Sequence, residues 1–173
     1  MKFKQFIVIP LYIAAMAFTM QAIDQTTAGW LAPVGNVGFG WIAFQAWAMY
    51  FMAGGKVEGG IKVFINYASG IIASILIFEF GAAFSAFAGY WAFPLAVFLI
   101  VIPVICLERI KWTSFVPAAF VGAGAFFGFM SYVPNATYTN AAIAILAYCA
   151  FGLIYGFITV TIRVKYEASL KKG

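Results

Sequence analysis

From Gln5 to Gly55 the chain carries one charged residue, Asp24; from Val63 to Leu107 it carries one, Glu79; from Trp112 to Ile162 it carries none. Uncharged apolar runs of this length match hydrocarbon, which a helix of roughly 20 residues crosses. They leave a water-soluble globule nothing to dress its surface with. Composition agrees, with 65% hydrophobic and 9% charged residues, where soluble domains carry about a quarter charged. A transmembrane barrel would alternate polarity over ~10-residue segments, and these runs are continuously apolar. About six crossing helices fit the length. The expected fold class is therefore an all-α polytopic integral membrane protein, one domain over 1–173, with spans at 3–23, 37–53, 60–83, 92–107, 113–132 and 140–162.

The net charge of +5 comes from ten basic residues: Lys2, Lys4, Lys56, Lys62, Arg109, Lys111, Arg163, Lys165, Lys171 and Lys172. They fall at both termini and in the connections after the second and fourth runs, and the other connections hold none. This is the positive-inside pattern, so both termini are expected to be cytoplasmic. The same pattern explains the basic charge without nucleic acid. The partner expected instead is the lipid bilayer.

Lys2 and Lys4 ahead of a run from Phe6 to Met20 imitate a signal peptide. Thr19-Met20-Gln21-Ala22 is a poor cleavage site, and a retained first span keeps the charge alternation intact. Pro10 should kink that span. Residues 24–37, with Asp24, Thr26, Thr27, Gly29, Pro33 and Gly35, read as an external loop carrying Trp30 at the interface. Cys106 and Cys149 have no metal-ligand spacing and should be buried small apolar side chains. The sequence contains no histidine, phosphate loop, catalytic triad or paired carboxylates. No enzyme, metal site or cofactor is expected.

Two apolar runs joined by the turn Gly54-Gly55-Lys56-Val57-Glu58-Gly59-Gly60 hold the most informative residues. Asn66, Ser69, Gly70 and Ala73 share a helical face because they are three and four residues apart. Such a stripe either guides a small polar solute or lets two helices approach and bond across the contact. Glu79 is the one acidic residue well inside an apolar run, and an intramembrane ionisable group is a functional candidate by default. If buried, it would suit a proton-linked gate. Gly124-x-x-x-Gly128 and Gly152-x-x-x-Gly156 are helix-packing patterns. The aromatic content of 20% exceeds what interfacial belts absorb, and pores for small uncharged solutes use aromatic constrictions.

These residues give the expected path. Gln45, Asn66, Ser69 and Glu79 would offer hydrogen bonds, and Trp41, Trp47, Tyr50 and Tyr67 would narrow it. Gly70, Gly124, Gly128, Gly152 and Gly156 would pack helices. The expected function is a homo-oligomeric channel or facilitator for a small neutral polar solute of the urea, amide or ammonia type. The alternatives are a non-transporting membrane scaffold or accessory subunit, and a proton-coupled carrier of a small organic acid resting on Glu79.

Several segments resemble the YcdZ-like family of small bacterial inner-membrane proteins. They are Gly40-Trp41 with Phe44, Trp47, Tyr50 and Phe51; the Gly54-to-Gly60 turn with Lys62 and Ser69-Gly70; Ser114-Phe115-Val116-Pro117 with Phe120, Gly122-Ala123 and Phe127-Gly128; and Gly152-Leu153-Ile154-Tyr155-Gly156. The resemblance covers about residues 38–160 and implies a bacterial inner-membrane location. It implies no activity, and Asn66 and Glu79 are not carried over from it. By size and topology alone the chain also resembles the proton-gated urea and amide channels.

Overall fold

The computed structural model describes residues 2–31 and 38–171, without the side chains of residues 28–31; the side chain of the expected Trp30 anchor and residues 32–37 of the expected external loop lie outside these. Every regular element among the described residues is helical: α1 (Phe3–Phe6), α2 (Val8–Leu31), α3 (Gly40–Met52), α4 (Val57–Ala88), α5 (Ala92–Cys106), α6 (Val116–Tyr132) and α7 (Tyr138–Leu170), with single 3₁₀ turns at Gly89–Trp91 and Leu107–Arg109. Three stretches are long and apolar enough to cross a membrane, Phe3–Thr27, Val57–Arg109 and Tyr138–Leu170, and Val116–Tyr132 is a shorter apolar helix. The outer surface is studded with bare Phe, Ile, Leu and Trp side chains, among them Phe18, Ile72, Phe87, Phe98, Ile143 and Val164. An apolar surface of that extent belongs in lipid.

Local chemistry sets where the helices break. Pro10 has no N–H and its ring crowds the carbonyl four residues back; that carbonyl is Phe6, where α1 ends. The expected kink is thus an interruption between α1 and α2. Gly54 (φ +93°) and Gly55 (φ +65°) turn the chain from α3 into α4, a left-handed geometry that side chains resist. Gly89 (φ +51°) ends α4, so the long stretch Val57–Arg109 folds back as an α4–α5 hairpin. At the start of α7, Thr137 Oγ1 accepts from Asn140 N at 3.2 Å while Asn140 Oδ1 accepts from Thr137 N at 2.8 Å. This reciprocal capping satisfies two donors that a helix start leaves free. Thr137→Ala is expected to cost about 1 kcal/mol, read as a lower thermal midpoint of the detergent-purified protein.

Packing runs along close backbone seams. Between α3 and α7, Gly152 lies against the Ala43 carbonyl and Gly156 against the Tyr50 ring. Between α4 and α6 the contact is mutual: Gly70 lies against the Ala119 carbonyl and Gly122 against the Tyr67 backbone. Where hydrophobic attraction between helices is lost to the solvent, such small-residue contacts recover association through van der Waals packing. Ala73 and Ile77 of α4 pack on Ala96 and Ile100 of α5 as a separate cluster. The main core is gathered from α2, α3, α4, α6 and α7 around Tyr67, Phe126, Phe129, Ile145 and Cys149.

The first helices lie along α7 and are tied to it by a row of hydrogen bonds in antiparallel register. Tyr166 donates to the Gln5 carbonyl (2.7 Å), Tyr12 donates to the Thr159 carbonyl (2.9 Å), Thr19 and Tyr155 share a bond (3.0 Å), and Tyr148 donates to Asp24 (2.6 Å).

The basic residues gather at one end of the bundle. Glu58 reaches both Lys62 (3.4 Å) and Lys111 (3.8 Å), Val160 of α7 lies against Gly55, and the Tyr166–Gln5 bond brings the two chain ends together. Two expectations are corrected here. The helix α2 continues through Asp24 to Leu31, so residues 24–31 of the expected loop are helical. Cys106 is exposed, and Cys149 alone of the two cysteines is buried.

Candidate functional site

Two groups of polar side chains are buried in this apolar bundle. The first lies in the main core. Asn66 and Tyr67, consecutive on α4, are fully buried. Asn66 Nδ2 donates to the Lys62 carbonyl at 2.8 Å and reaches the Trp112 carbonyl, in the α5–α6 connection, at 3.4 Å. Its Oδ1 has no partner, and neither does the Tyr67 hydroxyl or Nε1 of Trp47, which α3 presents to the same core. Buried polar atoms are almost always bonded, because each bare one forfeits the hydrogen bond it had in water. Trp47 packs edge-on against Tyr155 at 5.8 Å between ring centroids.

The second group lies at the end away from the basic residues. Asp24 is 3% exposed. Its Oδ1 accepts from the Tyr148 hydroxyl at 2.6 Å and from the Phe39 N–H at 3.2 Å, while Gln21 Nε2 approaches Oδ2 at 3.4 Å. Phe39 is the N-cap of α3, so the carboxylate sits at the positive end of that helix's dipole. Gly38 and Gly40 flank it so closely that a Cβ on either would stand 2.5 to 2.7 Å from a carboxylate oxygen. The two glycines are what let the α3 N-terminus wrap around Asp24.

The expected path residues do not gather around one cavity. Asn66, Tyr67, Trp47 and Tyr50 are buried. Ser69 is half-buried and donates to the Ile65 carbonyl of its own helix at 3.0 Å. Gln45, Trp41 and Glu79 are exposed on the outer surface of the bundle. Tyr50 borders an apolar groove between α4 and α7, and Trp41 borders a separate pocket with Phe129 and Tyr132. Among the packing glycines, Gly70, Gly152 and Gly156 form the seams described above. Nothing lies within 4 Å of a Cβ at Gly124, and only the Trp41 ring edge approaches one at Gly128.

Sequence reasoning missed Asp24, Tyr148, Gly122 and Ser74. Ser74 is fully buried and donates to the Gly70 carbonyl at 2.9 Å. For Ser74 a signal existed: Gly60, Val63, Tyr67, Gly70, Ser74, Ile77 and Gly81 follow each other at three- and four-residue steps, and all are buried. Glu79 is off that stripe. No group of three or more His, Cys, Asp or Glu side chains that could hold a metal ion occurs among the described residues.

Residues 20–162 match the model of a family described as proteins of unknown function, DUF1097. The chain belongs to the DUF1097 family. The match takes in both polar groups, from Asp24 through Asn66 to Tyr148. No curated protein and no solved structure matches this DUF1097 chain.

Proposed function

We propose that this DUF1097 protein is a six-span membrane channel or facilitator for a small neutral polar solute of the urea, amide or ammonia type. It would sit in a bacterial inner membrane with both termini cytoplasmic, assembled as a homo-oligomer, in keeping with the resemblance to YcdZ-like proteins. The observation that carries this reading is the set of buried, unbonded polar atoms on Trp47, Asn66 and Tyr67. A packing core gains nothing from bare polar atoms, whereas a passing solute or water can bond to each. Selectivity then follows from aromatic width and a few hydrogen-bonding groups.

The test is stopped-flow light scattering on proteoliposomes offered urea, acetamide, glycerol and ammonia in turn. One solute is expected to relax faster than through empty liposomes, and Asn66→Leu and Tyr67→Phe are expected to slow it. Relaxation no faster than empty liposomes, from protein shown to be folded, would rule the reading out.

The scaffold reading is favoured by one observation, the bond from Asn66 to the Trp112 carbonyl across the α4–α6 approach. It accounts for the nitrogen of Asn66 and leaves its oxygen unexplained. The organic-acid carrier would have drawn its main support from a buried Glu79, and that side chain is exposed.

A further inference from the structure

Asp24 is a buried acid with no basic side chain against it among the described residues. The sequence holds no basic residue between Lys4 and Lys56. Lys4 is 20 residues back along helical chain, about 30 Å away at the helical rise, and the other described basic residues sit at that same far end. Buried carboxylates are ordinarily paired with a cation or bound to a metal. Here the groups facing Asp24 are neutral: the Tyr148 hydroxyl from α7, the Phe39 N–H from the start of α3 and the Gln21 amide from its own helix. Among the described residues these bonds occupy Oδ1 and give Oδ2 a single long bond.

A pocket of about 190 Å³ opens beside this carboxylate between α2 and α7, lined by Ile23, Asp24, Thr27, Ala147, Tyr148 and Phe151. Its chemistry selects among cations. Sodium and similar hard ions demand a full shell of oxygens, and among the described residues the pocket's side-chain oxygens are those of Asp24, Tyr148 and Thr27. The remaining walls are aliphatic or are the rings of Tyr148 and Phe151. A carboxylate with aromatic faces suits a small N–H cation, which is attracted to the rings and donates to the oxygens.

We propose that Asp24, Tyr148, Thr27 and Phe151 form a binding site for a small ammonium-type cation between α2 and α7, at the end of the protein away from its basic residues. The cation donates to the Asp24 carboxylate and lies against the Phe151 ring, and the Tyr148 hydroxyl holds the carboxylate in place. The site adds to the proposed function a place where the protonated form of an amine solute would collect. It rests on that reading only for its purpose. Binding is measured without flux, so either can fail while the other stands.

Isothermal titration of the full-length protein in detergent with methylammonium chloride tests it, with sodium chloride at equal ionic strength as the reference. Saturable heat is expected for methylammonium and none for sodium. Asp24→Asn is expected to weaken binding by about tenfold or more, the scale of one lost charged hydrogen bond. If Asp24→Asn does not fold, Phe151→Leu and Thr27→Val carry the test, because neither touches the bonds to Asp24; each is expected to weaken binding severalfold. Three results would overturn the proposal: no saturable methylammonium binding, equal binding of sodium, or binding unchanged in all three variants.

Discussion

Gly152→Leu is expected to leave almost no folded protein. A Cβ at this position would run into the Ala43 carbonyl of α3, which is helix backbone and cannot rotate away. Overpacking a core costs typically 1–3 kcal/mol when side chains can yield, and a clash with backbone lies at or beyond the top of that range. The α3–α7 seam has little to spare, because α3 is only 13 residues long and buries Ala43, Ala46 and Trp47 mainly there. The measurement is monodisperse yield by fluorescence-detected size exclusion. Gly124→Leu is the control: nothing lies within 4 Å of its Cβ position, and its yield should stay near that of the unaltered protein. Equal losses in both would mean that the protein closes a different seam, one involving Gly124.

Asp24→Lys is the second large effect. It would bury an ammonium at the N-terminus of α3, facing the Phe39 N–H and Tyr148 O–H that now donate to a carboxylate. Both donors would then point at a cation, and the helix dipole would oppose it. An uncompensated buried charge costs roughly 3–5 kcal/mol, comparable with the whole stability of many domains. Collapse of folded yield is expected. Glu79→Gln, at the other intramembrane acid, should change the thermal midpoint little, since Glu79 is exposed and makes no ion pair among the described residues. The reverse ranking would show that Glu79 is the buried acid in the membrane.

The contrast between these two acids shows what the sequence could and could not convey. Depth along the chain was legible. Apolar runs gave α3, α5 and α6 to within three residues at each end, and fell five and eight residues short of the ends of α4 and α7; the spacing of Lys and Arg gave the single basic end. Azimuth was not legible from depth. Glu79 lies in the middle of an apolar run and still points outward, because it is two residues beyond Ile77 and so on the opposite side of α4. Asp24 lies among Gln25, Thr26 and Thr27, a polar cluster that reads as a loop. It is helical nonetheless, with the Thr26 and Thr27 hydroxyls bonded back to the Ala22 and Ile23 carbonyls. Its partner Tyr148 is 124 residues away, a distance no local pattern spans. Asn66 was legible as a candidate through its polar atoms in greasy surroundings, and Tyr67 and Trp47 as aromatics beyond the interfacial belts. The glycine patterns fared unevenly for the same azimuthal reason: Gly152 and Gly156 face α3, whereas α6 meets α4 through Gly122 and turns Gly124 away.

The functional account stands on the claim that the core between α3, α4, α6 and α7 holds a polar guest. A high-resolution density map of the protein in lipid nanodiscs addresses that claim at the atoms concerned. Ordered water or solute within about 3.2 Å, hydrogen-bonding reach, of Asn66 Oδ1 and the Tyr67 hydroxyl is the predicted result. A dry core, with those two atoms bonded to neighbouring protein groups, would contradict the account and leave the bundle a scaffold.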